Sequence, residues 1–157
     1  MPIPNKPFYA LVWILVFQFI GFGLGSITSS NMDWYHTIIK SSLTPPNVVF
    51  PIVWSILYTL LALVGHFLWQ NREEQKVNHI LVFFIIQLVL NWLWTPIFFG
   101  WHLTGIALVD ILMIAAITVY IIIKSWANHS IIAYVMIVYL LWLLFASYLN
   151  FVIWISS

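Results

Sequence analysis

Five stretches of this chain stay apolar for about 20 positions, the length an α-helix needs to cross the hydrocarbon core of a bilayer. They run from about Phe8 to Ser26, from Pro46 to Trp69, from His79 to Phe99, from Thr104 to Lys124, and from Ser130 to Ile155. A barrel strand would alternate apolar and polar residues, and none of the five does so. In lipid, backbone N–H and C=O groups must be satisfied within the segment, so long unalternated runs mean helices. The pattern predicts an all-α integral membrane protein, a five-transmembrane-helix bundle forming one domain over residues 1–157.

The polar positions fall between the runs. NREEQKVN (71–78) holds four of the nine formally charged residues and reads as a short solvated turn. GWHLTG and SWANHS are tighter still. The outlier is the segment 28–45, long enough to form a lid over one end of the bundle. Asp33 is placed to cap a short helix reaching Lys40, since its carboxylate can accept free first-turn amides. Pro45 and Pro46 suit the opening of the second span, where a missing donor costs little. The first run is preceded by Lys6 and resembles a secretory leader, but it is longer than the usual leader core, so it is expected to remain as a span.

Composition sharpens the class. The chain is 64% hydrophobic and only 6% charged, against about a quarter charged in soluble domains. A net charge of +1 gives no basic patch for nucleic acid. With no cysteine, disulfides and thiolate chemistry are excluded. Lys6, Arg72, Lys76 and Lys124 fall on one side of a five-span chain and Lys40 on the other. That asymmetry predicts a cytoplasmic N-terminus, with the lid and C-terminus on the far side.

Within the spans, polar and aromatic residues share faces. Gln87, Asn91, Trp94 and Phe98 step by four, three and four, which aligns them on one face of the third span. Tyr139, Trp142, Ala146 and Asn150 do the same on the fifth, and Trp54, Tyr58 and Ala62 on the second. Each amide is either glue between helices, worth about 1 kcal/mol, or part of a binding face. Trp and Tyr favour headgroup depth, which accounts for Trp34, Trp69, Trp101, Trp126 and Trp154. It accounts less well for Trp54, Trp94 and Trp142, which sit one to three turns inside their spans. Pro96 removes one helical hydrogen bond and should bend the third span near Trp92 to Thr95, where Thr95 can bond back to the preceding turn. Trp92, off the Asn91 face, reads as packing or lipid-facing.

Asp110, in TGIALVDILMI of the fourth span, costs about 3 kcal/mol to insert and is a functional candidate by default. A structural hydrogen bond to a neighbouring helix is the competing reading, and no basic residue in any span can pair with it. Gly21 and Gly25 have the spacing that lets helices approach closely, here inside the bundle rather than between copies. The histidines never recur at metal-ligand spacing, so no metal is expected.

DWYHTIIKSSLTPPNVVFPIVWSILY, followed by LNWLWTPIFFG, ALVD and WLLFASYLNFVIW, resembles the TspO/MBR family of tryptophan-rich sensory and translocator proteins, which includes the peripheral-type benzodiazepine receptors. The likeness spans essentially the whole chain. It implies a five-helix bundle, often a homodimer, with a cavity beneath the first loop for porphyrins or haem, sterols, or benzodiazepine-type drugs. No cofactor is implied as a requirement; porphyrin or haem would be a ligand.

Carried over by motif, the resemblance places Trp34, Tyr35, Pro45 and Trp54 at that cavity, with Asn91 and Trp94, and with Trp142, Ala146 and Asn150. Asp110 matches an aspartate of many members, and Tyr58 joins the set by its spacing from Trp54. The amides of Asn91 and Asn150 would bond a porphyrin's carboxylates or carbonyls. Leu43 stands where members commonly carry a lid tryptophan, Val138 where a proline is common. Phe151 replaces a sterol-associated tyrosine, with no basic residue after it. The resemblance ranks ligand binding first, light-dependent porphyrin breakdown second, and transport third. It implies a bacterial envelope or a mitochondrial outer membrane.

Overall fold

The computed structural model describes residues 6–157, the side chain of Lys6 excepted. Five long helices cross the bundle: α1 (Lys6–Ser30), α3 (Val49–Gln70), α4 (Gln75–Thr95), α5 (Thr104–Ser125) and α6 (Ser130–Ile155), with a short α2 (Met32–Thr37) in the first connection. All five long elements are long and apolar enough to span a membrane. The distribution of polarity is that of a membrane protein. Gln87, Thr118 and Asn150 are buried, while Phe19 and Phe22 are 79% and 76% exposed on the outer face. This is a multi-pass membrane protein.

The helices form a ring. α1 lies along α3, α5 lies between α4 and α6, and α3 reaches across to α4. α3 and α6 meet only lightly. Gly65 lets Trp13 of α1 and Phe84 of α4 approach α3, because a Cβ there would lie 2.9 Å from the Trp13 ring and 3.0 Å from that of Phe84. Gly21 admits the Tyr58 ring, at 2.8 Å from where its Cβ would stand, whereas Gly25 has open space beside it. Of the pair read from the sequence, only Gly21 serves close helix packing.

Three boundaries differ from the sequence reading, each for a local reason. α1 continues to Ser30 because its last polar residues bond back along the helix: Ser26 to the Phe22 carbonyl (3.2 Å), Thr28 to Leu24 (3.3 Å), and Ser30 to Ser26 (2.8 Å). Asp33 lies inside the first turn of α2 rather than capping it, and α2 stops at Thr37. Lys40 ends it instead, its ammonium donating to the carbonyls of Tyr35 (2.6 Å) and Ile38 (3.0 Å). α3 begins at Val49, and the proline in its first turn is Pro51, not Pro45 or Pro46.

Pro96 interrupts the third span through a change of helix type that begins at Pro96 itself, whereas Trp92 to Thr95, where the bend was expected, remain α-helical. Residues Pro96–Gly100 form a π-helical turn, closed by the Trp101 amide on the Pro96 carbonyl (2.9 Å). Such widened turns concentrate at functional sites. Here the turn projects Phe98 and Phe99 toward α2, where Tyr35 packs on Phe99 (ring centroids 5.5 Å apart).

Candidate functional site

Beneath α2 the helices part around a cavity of about 1010 Å³. Its sides carry an indole from each of three helices: Trp54 of α3, Trp94 of α4 and Trp142 of α6. Tyr35 forms part of the roof. Tyr58, Asn91, Ala146 and Asn150 complete the set of sequence candidates that reach the wall. The faces read from helical spacing in the second, third and fifth spans therefore converge on one volume.

Three candidates do not line it. Trp34 turns away and stacks on the His102 ring, with centroids 3.9 Å apart and planes 11° from parallel. It secures the lid rather than walling the cavity. Pro45 lies in the connection after α2, while Asn47 and Val48 contribute to the wall in its place. Asp110 is buried, but α5 reaches the cavity through Ile111 and Ile114. The interhelical hydrogen bond that was the competing reading of Asp110 is missing at Oδ2, which has no partner among the described residues.

The lid is fastened at two points. His102, with φ 58°, sits in the left-handed region that side chains seldom adopt. It meets Trp34 by stacking and Asn31 Oδ1 through its Nε2 at 3.3 Å. At the other edge the Ser41 and Tyr148 hydroxyls are 3.0 Å apart. The Lys40 ammonium also rests 4.7 Å from the centre of the Tyr35 ring. Burial pushes the Tyr35 phenol above its ordinary pKa, so at neutral pH it is an uncharged hydroxyl.

Below the lid the buried amides are already engaged. The Tyr58 hydroxyl donates to Asn91 Oδ1 (2.9 Å), Asn91 Nδ2 donates to the Tyr139 hydroxyl (2.7 Å), and that hydroxyl donates to Gln87 Oε1 (2.9 Å). Near the lid, Trp94 Nε1 donates to Asn150 Oδ1 (3.2 Å), and Asn150 Nδ2 donates to the Thr104 carbonyl (2.8 Å). Both asparagines thus tie helices together, the plainer of the two readings their sequence positions allowed. Each keeps one N–H of its amide free, the group through which it would bond a ligand's carboxylate or carbonyl.

Thr95 lines the cavity. Trp92 packs edge-on against Phe17 at 6.0 Å, which agrees with a packing role. The face spacing included Tyr139 but gave no sign that its hydroxyl would join Asn91 to Gln87. The contribution of α1, from Gln18 to Ser30, was missed: the sequence reads Gln18 to Ser26 as part of a span with no role at the site, and Thr28 to Ser30 as loop.

The sequence model of the TspO/MBR family matches residues 10–155. The chain belongs to the TspO/MBR family. Among its relatives is the tryptophan-rich protein TspO of Archaeoglobus fulgidus, 34% identical over 147 residues, covering 92% of this chain and 94% of that one. The TspO of Chlorobaculum tepidum is 39% identical over 137 residues, 85% of this chain and 86% of that one. The human translocator protein is 31% identical over 130 residues, 82% and 77% of the two chains. The TspO/MBR match takes in every helix that walls the cavity and the lid above it.

Proposed function

We propose that this TspO/MBR protein is a membrane receptor for a flat, largely apolar ligand of the porphyrin or sterol class, held in the cavity beneath α2. One observation carries the reading: Trp54, Trp94 and Trp142, from three different helices, line a single cavity of about 1010 Å³. Ligand sites are concave, mostly apolar volumes of roughly 300–1,000 Å³ with few polar groups, and this one lies at the upper end of that range. Flat indoles give a planar ligand stacking area at little conformational cost, each aromatic contact worth about 0.5–1.5 kcal/mol. The fastened lid supports retention of a bound molecule. The charge asymmetry along the chain supports a cavity that opens away from the cytoplasm.

The reading is tested by titrating detergent-purified protein with protoporphyrin, and separately with cholesterol. Wild type should bind at least one of them saturably at one site. Replacing the three indoles together, Trp54→Phe, Trp94→Phe and Trp142→Phe, should weaken that binding by about tenfold or more, equal to 1.4 kcal/mol. Unchanged affinity in the triple variant would place the ligand elsewhere.

A further inference from the structure

We propose that the seam between α3 and α6 is a binding site for the tails of a membrane phospholipid, seated against the outer face of Trp142. This site is separate from the cavity beneath α2 and stands whether or not a ligand enters that cavity. α3 and α6 meet only lightly, and they leave a groove of about 400 Å³ along their seam. Val53, Ile56 and Leu57 of α3 form one side, and Val138, Leu141 and Phe145 of α6 the other. Trp142 stands between this groove and the cavity. All of these residues lie at least one helical turn inside the ends of their spans, so the groove opens at the depth of the hydrocarbon core.

Helices in lipid have no hydrophobic drive to close on one another, and their contact relies on packing. An unfilled gap forfeits the dispersion contacts of its lining. The groove is continuous with the lipid-facing surface, since Ile56, Val138 and Leu141 are exposed. It also reaches inward to Leu57, which is 3% exposed, and to the half-buried Trp142. A tail seated there touches residues that the lipid wetting the outer surface does not.

Size and polarity identify the occupant. An apolar cavity of about 150 Å³ takes benzene, so by the same ratio of volume to carbon this groove takes about 16 carbons. A second copy of the chain would need about 20–30 residues a side for a stable interface, and seven line this groove. A sterol brings a hydroxyl that needs a partner near headgroup depth. Tyr148, one turn above Phe145 on α6, has its hydroxyl already paired with that of Ser41 (3.0 Å). A hydrocarbon tail asks for no polar partner, and the lining offers none.

Trp142 gives the site its consequence. Among the described residues it alone lines both the groove and the cavity. Its indole N–H is buried with no acceptor among those residues, so packing alone fixes the ring, against Phe50 (centroids 6.0 Å apart) and Phe145 (5.6 Å). A tail behind the ring completes that packing and sets the indole that the cavity presents.

The test is photolabelling of the full chain in detergent micelles doped with increasing amounts of a phospholipid that carries a diazirine in its tail, read peptide by peptide. Labelling at Leu57 and Trp142 should saturate at low lipid content, while labelling at Phe19, on the outer face of α1, rises in proportion to it. Unlabelled phospholipid should displace the groove label and cholesterol at the same mole fraction should not. Filling the groove with Val53→Phe and Val138→Phe together should weaken saturable labelling by about tenfold or more and leave Phe19 unchanged. The wild-type measurements need no substitution, so they decide the matter even where the double variant fails to fold. Groove labelling that tracks lipid content as Phe19 does would overturn the proposal. Displacement by cholesterol but not by phospholipid would assign the groove to a sterol, and labelling of monomers but not of dimers would assign it to a second copy; either result overturns the proposal too.

Discussion

The relay through Tyr139 sets up a clean energetic experiment. Tyr139 is 1% exposed, and its hydroxyl both accepts from Asn91 Nδ2 (2.7 Å) and donates to Gln87 Oε1 (2.9 Å). Tyr139→Phe keeps the ring and deletes one oxygen, so the packing around it is conserved and two buried groups lose a partner. Gln87 already has Nε2 without one, so this substitution would strip its side chain of hydrogen bonds. Interhelical hydrogen bonds in membranes average about 0.6 kcal/mol each with a maximum near 1.7, and two of them give an expected loss of about 1–3 kcal/mol. The assay is unfolding of the protein in mixed micelles by increasing detergent denaturant, followed by tryptophan fluorescence. The same accounting makes a second claim. Making the whole relay apolar, with Tyr58→Phe, Gln87→Leu, Asn91→Leu and Tyr139→Phe combined, leaves no orphan and should cost less than the single substitution. An undiminished stability in Tyr139→Phe, or a combined variant weaker than the single one, would refute the reasoning.

Three further outcomes follow from particular contacts. Gly21→Ala places a methyl 2.8 Å from the Tyr58 ring and should cost about 1–3 kcal/mol in the same unfolding assay. Gly25→Ala meets nothing within 4 Å and should stay within about 0.5 kcal/mol of wild type. Asp110→Asn should leave ligand affinity within about twofold, because its carboxyl is off the cavity wall; a tenfold loss would return Asp110 to the site. His102→Ala removes the ring stacked on Trp34, so hydrogen exchange of amides 31–37 should quicken roughly two- to tenfold, the equivalent of about 0.5–1.5 kcal/mol for the lost pair.

The sequence made the bundle legible because length and apolarity alone decide whether a segment spans. The site was partly legible for the same kind of reason. Steps of three and four residues put Asn91 with Trp94, and Trp142 with Ala146 and Asn150, on common helix faces, and those faces meet around the cavity. The ends of elements were less legible, since hydropathy fails where hydrogen bonding decides. α1 runs on through Ser30 because serine and threonine hydroxyls bond to the preceding turn, which hid the cavity-lining Thr28, Ser29 and Ser30 inside an apparent loop. Pro96 announced a disturbance, yet only the backbone reveals a π-helical turn that carries Phe98 and Phe99 to the lid. Trp34 was placed at the cavity by the resemblance, and Asp110 by its cost in a span together with the resemblance, and neither fixes the direction of a side chain. One indole found His102, and one carboxyl lies beside the cavity-facing Ile111 without reaching the cavity.

That a ligand occupies the space among the three indoles is tested most directly by filling that space. Ala146 lines the cavity between the α6 residues Trp142 and Asn150, and Ala146→Trp would extend a further indole into it. Equilibrium titration with protoporphyrin dimethyl ester, on wild type and on this variant, reads the effect. Saturable binding at one site in wild type, and a loss of about tenfold or more in Ala146→Trp with the unfolding midpoint maintained, is the predicted result. Equal affinity in the filled protein would contradict a receptor built on this cavity.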